Sequence, residues 1–234
     1  MEPDQWNLNQ AEKKRIGEFL LALRRPCSVQ RNQSSFFNTT EFEDDFRSRL
    51  LAHHEYIRTP LFQDSFHSAF IEAARGAGLN PVIAPSGARF WDLEIAGRRI
   101  SLKSSKAKNM RPDLLHISKL TEAAWIQDCR TSTKRREETF RLFNEYTTNV
   151  HSIIQLRYFY NKEMYELVEF PASLFRQIFD VQREHFNADG PTINIPIGKE
   201  PPDFTLKLDR SDAKITIANI NKLICTVHGT WELK

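Results

Sequence analysis

Cysteine is scarce in this chain of 234 residues, and the three it has, Cys27, Cys129 and Cys225, stand far apart. An odd count with no C-x-x-C pair and no Cys/His ligand spacing excludes a disulfide scaffold and a zinc finger or ribbon. The expectation is reduced, partly buried thiols in a reducing cytoplasm. Long apolar runs are missing too: nothing approaches the roughly 18 consecutive apolar residues of a membrane span. The opening stretch MEPDQWNLNQ has neither a basic nor an apolar region, so no secretory signal is expected there. A large charge excess is also lacking. The net charge of +3 is compatible with a polyanionic partner and does not specify one. Phosphate-binding P-loops and dinucleotide fingerprints are absent, and Ser104 and Ser105 have no G-x-S-x-G context. That removes the common nucleotide-binding and serine-hydrolase chemistries.

What is present is core material: 17 Phe and 4 Trp, with 40% hydrophobic and 27% charged residues. Helical spacing marks residues 8–25, 41–57 and a stretch from Asp64 to Gly76 or Gly78, with Pro26 and Pro60 as stops. The segment 29–40 between the first two is polar and reads as a loop anchored by Phe36 and Phe37. The period then changes to two. FWDLEI and RISLKS alternate around an Ala96-Gly97-Arg98 turn, predicting a β-hairpin. Residues 117–130 and 132–150 read as a long helical region. A second hairpin turns at Asn161-Lys162-Glu163, Pro171 to Asp180 reads as a helix, and residues 187–203 as an ordered loop or small β-arm. The closing stretch is strand-rich, with a turn at Arg210-Ser211-Asp212. This order predicts one α/β (α+β) domain over residues 1–234, with a central mixed sheet flanked by helices. Residues 1–60 form its helical N-terminal part, 64–128 its core, and 150–234 additional strands.

The stretch WDLEIAGRRISLKSS, Trp91 to Ser105, carries chemistry that a plain hairpin does not need. Alternation puts Leu93, Ile95, Ile100 and Leu102 on one face, and Asp92, Glu94, Ser101 and Lys103 on the other. A carboxylate can hold Mg²⁺, and a nearby lysine can orient or deprotonate an attacking water or offset charge building on phosphorus.

An Asp at the head of one strand and an x-x-Lys on the next, after a helix bearing a Glu, resembles the PD-(D/E)XK nuclease superfamily, whose largest group is the type II restriction endonucleases. The resemblance spans about Asp64 to Asp128. It implies a restriction-endonuclease-like fold in which Asp92 is the primary Mg²⁺ ligand and Lys103 the catalytic lysine. The sequence departs from the pattern in two places. Ser86-Gly87 and Phe90-Trp91 stand where a Pro often precedes the Asp, and Ser101 occupies the place of the second carboxylate. The resemblance implies that another acid completes the site: Glu72 on the upstream helix first, then Glu122 on a downstream helix, then Glu94.

Lys106, Lys108, Asn109 and Arg111 follow in a polar loop and are expected to contact DNA phosphates or base edges. Arg130, Lys134, Arg135 and Arg136 are mixed with acids on a helix and read as a solvated face. His53, His54, His116 and His228 lack partners at ligand spacing and read as structural. The expected activity is Mg²⁺-dependent, sequence-specific hydrolysis of double-stranded DNA by a cytoplasmic enzyme. A symmetric site makes a homodimer the default, with a monomer cutting twice as the alternative. A DNA-nicking repair endonuclease and a non-catalytic DNA-binding module on the same scaffold are the competing readings.

Overall fold

The computed structural model describes residues 7–187 and 190–234, so the first six residues of the opening stretch and the Ala188-Asp189 pair of the expected loop lie outside the described residues. Helices form where apolar side chains recur every three or four positions. Helix α1 (Gln10–Leu23) starts at a reciprocal capping box between Asn9 and Glu12. Helix α2 (Thr40–Tyr56), capped by Thr39, buries Phe42, Phe46, Leu50 and Leu51. Helix α3 (Asp64–Gly76) buries Phe66, Phe70, Ala73 and Ala74. A single turn, α4 (Trp125–Asp128), precedes α5 (Ser132–Asn149), which buries Leu142, Phe143 and Tyr146.

The strands are β1 (Cys27–Arg31), β2 (Val82–Ile83), β3 (Leu93–Ile95), β4 (Arg98–Ser105), β5 (Leu114–Glu122), β6 (Ser152–Phe159), β7 (Met164–Pro171), β8 (Thr192–Ile197), β9 (Phe204–Asp209), β10 (Lys214–Asn221) and β11 (Thr226–Leu233). They build a seven-stranded sheet in the order β1-β11-β7-β6-β4-β3-β2 and a four-stranded sheet in the order β5-β10-β9-β8. Every neighbouring pair is antiparallel except β4 and β6, which run parallel. A parallel pair needs a crossover, and α5 provides it on the way from β4 to β6. With helices α2 and α3 on one face of the large sheet and α5 plus the small sheet on the other, all of β6 is buried. This is the expected α+β arrangement with a mixed central sheet.

Three local expectations are corrected, and one is refined. Residues 117–122, including Glu122, are strand rather than helix. A register shift in the β5–β10 pairing between Ile217↔Ile117 and Ile215↔Thr121 leaves Ile117 and Leu120 both buried. That three-residue spacing imitates a helix period. The polar stretch after Pro26 opens with an edge strand, β1, too short and too polar to read as a strand, although its alternation turns Cys27 and Val29 onto the core. Ala172–Asp180 is a 3₁₀ helix, which suits Ala172, Phe175 and Ile178 because i and i+3 side chains stack in that geometry. Arg135 is not solvated: it is buried, and its Nε and Nη1 donate to the carbonyls of Cys129 and Phe186 at 3.0 Å each. The expected arm at 187–203 contains a full strand, β8.

Candidate active site

The β3–β4 hairpin closes through Ala96 and Gly97, both at positive φ (49° and 75°), as a two-residue mirror-type turn requires. That turn fixes the register Ile95↔Arg98, Glu94↔Arg99 and Leu93↔Ile100. One step further, Asp92 lies against Ser101. Its Oδ2 accepts from the Leu102 backbone N–H at 2.6 Å and from the Ser101 hydroxyl at 3.4 Å. The Asp92 backbone N–H in turn donates to the Ile100 carbonyl at 2.8 Å. Ser101 is fully buried, so its role is to help hold Asp92 in place.

Lys103 follows Ser101 on the same face and is paired with Gln155 of β6. It opens into a cleft of ≈ 390 Å³ whose walls include Phe62, Gln63, Asp64, His67, Ser118 and Lys119. It makes no hydrogen bond or ion pair among the described residues. Burial depresses the Lys103 ammonium below the usual lysine range; Asp92 opposes that shift and Lys119 adds to it. The start of α3 forms one wall, where Gln63, at φ 48°, donates its backbone N–H to the Ser104 hydroxyl at 2.9 Å. Beneath Ser101 sits Tyr146 of α5. Burial pushes its phenol far up, so it stays neutral. Phe90, held at φ 77° just before Asp92, packs on the Tyr146 ring with centroids 5.1 Å apart.

The three glutamates weighed for the second acid all meet cations. Glu72 pairs with Arg75 on the half-exposed side of α3. It lies eight residues beyond Asp64, about 12 Å further along the helix axis, and does not line the cleft. Glu122 pairs with Lys119 at 2.8 Å and Glu94 with Arg99 at 3.4 Å. Asp64, by contrast, lines the cleft and has no ion pair among the described residues. Sequence reasoning passed over Asp64 because its helix-start position explains it fully without function. It missed Ser118 and Lys119 because their segment reads as helix. Among the described residues no cluster of three or more His, Cys, Asp or Glu side chains is present.

In the loop beyond β4, Lys106 lies 4.5 Å over the Phe62 ring and Lys108 is exposed. Asn109 and Arg111 border a second pocket of ≈ 220 Å³ with His116, Gln155, Arg157 and Asn219. The Arg111 guanidinium is engaged by Asp113 at 2.7 Å. Arg157, only 1% exposed, pins this loop from below. Its Nη2 donates to the carbonyls of Arg111 (2.5 Å) and Leu114 (2.9 Å), and its Nη1 pairs with Glu166 at 2.7 Å. Lys222 also pairs with Glu166.

A family model described as SmaI, type II site-specific deoxyribonuclease, matches residues 6–233. The type II restriction enzyme SmaI of Serratia marcescens is 27% identical over 238 residues, covering 96% of this chain and 92% of that enzyme. No solved structure matches the chain. With almost its whole length matched, this chain belongs to the SmaI family of type II site-specific deoxyribonucleases.

Proposed function

We propose that this type II deoxyribonuclease cuts duplex DNA at the Asp92–Lys103 cleft, with Mg²⁺ as its cofactor and in the manner of the PD-(D/E)XK nucleases. The observation that carries the reading is the placement of a tethered Asp92 and an unpaired, part-buried Lys103 on one face of paired strands. The order helix, Asp-bearing strand, Lys-bearing strand agrees with it.

The donor set fits a hard cation. Mg²⁺ takes oxygen ligands, keeps several waters, and needs one or two carboxylates besides substrate phosphates. Asp92 has one oxygen tied to Leu102 and Ser101, and its Oδ1 makes no hydrogen bond among the described residues. Asp92 does not itself line the Lys103 cleft but is tied to Leu102, which does. Asp64 lines that cleft with no ion pair among the described residues, and we favour it over Glu72, Glu122 and Glu94 as the second carboxylate. Mg²⁺ held there would supply Lewis-acid charge against the phosphate oxygens.

The chain's own groups do the rest. Leu102 N–H and Ser101 fix the rotamer of Asp92. Lys103 Nζ, with no competing partner, offers its donors to a phosphate oxygen or to the attacking water. Burial lowers its basicity, which eases release of its proton. The water oxygen bonds to phosphorus, one P–O ester bond breaks, and the released oxygen takes up a proton. Phe62 forms one wall of the cleft.

The proposal extends to a single nuclease domain over residues 1–234, to a homodimer matching a two-fold-symmetric site, and to a reducing cytoplasm that suits three free thiols. No helix among the described residues is long and apolar enough to cross a membrane. Digestion of phage-length DNA with and without Mg²⁺ tests the reading. Discrete fragments that need the metal and vanish in Asp92→Asn and Lys103→Ala support it. Normal cutting by either variant refutes the site.

A further inference from the structure

The smaller sheet turns one face into the core and leaves the other partly open, with its edges more exposed than its centre. Ile193, Ile195, Leu206, Leu208, Ile215 and Ile217 point inward and are buried. The register orders the outward side chains into three rungs. The first runs Thr192, Asp209, Lys214, Glu122; the second Asn194, Lys207, Thr216; the third Pro196, Thr205, Ala218. Thr216 and Ala218 on the central strand are buried, while the other rung members are half-buried or exposed. The Thr216 hydroxyl donates to the Ser118 carbonyl at 2.8 Å, so Ser118 continues the second rung onto β5. His116, Ser118, Asn194 and Asn219 are exposed.

Charge is distributed unevenly over this face. Acids are confined to the first rung, where Asp209 pairs with Lys214 at 3.8 Å and Glu122 with Lys119 at 2.8 Å. The second and third rungs carry no acid, and Lys207 at their centre has no hydrogen bond or ion pair among the described residues. The effect reaches across the sheet: burial, then Lys207 and Lys214, depress the His116 imidazolium. The acid-free side also runs into the machinery. Ser118 and Lys119 form a wall of the Lys103 cleft, and His116 and Asn219 line the pocket bordered by Asn109 and Arg111.

We infer that the outer face of the β5-β10-β9-β8 sheet is a track for the phosphate backbone of duplex DNA, centred on Lys207 and leading into the Lys103 cleft. The inference rests on the nuclease reading of that cleft. Acid-free rungs carrying a lysine with no ion pair among the described residues suit a polyanion, and hydroxyl and amide side chains suit phosphate contacts that position DNA without reading bases. Lys207 does not line the Lys103 cleft and is a positioning residue.

The test is the salt dependence of cleavage of phage-length DNA. Each phosphate that a lysine or arginine neutralises adds about 0.9 to the steepness of log(kcat/KM) against log[salt]. Lys207→Gln should flatten the slope by about one such step and raise KM several-fold with kcat unchanged, and Lys207→Arg should restore both. Lys14→Ala, on the far-exposed surface of α1, should leave slope and KM as they were. An unchanged slope and KM in Lys207→Gln overturns the track while leaving the nuclease reading standing. So does a shift in sedimentation by Lys207→Glu without a change in slope, since that face would then hold a second copy of the chain. A wild-type protein that cuts no DNA overturns the nuclease reading itself.

Discussion

Replacing Lys103 with methionine should stabilise the protein while it abolishes cleavage. Lys103 keeps its ammonium part-buried with no hydrogen bond or salt bridge among the described residues, and burial depresses its ionisation. Methionine has similar length and no charge to desolvate. Mutational data price an unpaired buried polar group at about 1–3 kcal/mol. Taking about 1–2 kcal/mol, and roughly 2–4 °C per kcal/mol for a protein of this size, Tm should rise by about 2–8 °C at neutral pH. The pH dependence fixes the cause. A lysine whose folded pKa lies below its unfolded value near 10.4 destabilises the fold while both states are protonated. Raising the pH through the folded pKa releases that proton from the native state first, so wild-type stability climbs and the gap to Lys103→Met narrows. Thermal unfolding by circular dichroism from pH 7 to 10, alongside a plasmid digest, measures both effects. A variant less stable than wild type, or a gap that ignores pH, refutes the account of Lys103 as a destabilising functional group.

Asp92→Asn should keep its fold, because the amide oxygen still accepts from the Leu102 N–H, while cleavage falls by roughly 10²-fold or more; digestion and far-UV spectra check the two halves. Glu166→Ala strips Arg157 and Lys222 of their buried partner and should cost about 3–5 kcal/mol in urea unfolding, with the 106–113 loop becoming protease-sensitive. Burial, with His53 and Arg25 adding repulsion, holds His54 neutral down to about 4. The unfolded chain therefore binds its proton first as pH falls from about 6.5, and stability should decline between there and pH 4 and be flat above. His54→Leu should flatten that decline in thermal melts.

The proposed Asp92–Lys103 pair was legible because strand alternation and a two-residue turn are local rules. Once Ala96 and Gly97 close the hairpin, Asp92 must meet Ser101, and Lys103 must share that face. The rest of the cleft was not legible, because its other walls come from distant chain segments. Asp64 looks like an ordinary helix start until α3 is docked beside β4. Ser118 and Lys119 were hidden by a register shift that spaces Ile117 and Leu120 like a helix. Arg135 reads as surface because nothing local reveals the carbonyls of Cys129 and Phe186 that receive it. The lone polar edge of β1 escaped for a similar reason: its partner, β11, is at the opposite end of the chain.

The parallel pairing of β4 with β6 has a kinetic consequence. Lys103 and Gln155 come side by side only after the chain between Ser105 and Ser152 has folded and swung α5 across the sheet. Tyr146, the floor under Ser101, rides on that same crossover. Closing such a long-range, parallel contact carries a loop-entropy cost and slows folding. A nascent or partly folded chain therefore carries the Asp92 hairpin without its supporting neighbours. The proposed site is thus only as well formed as the docking of that crossover.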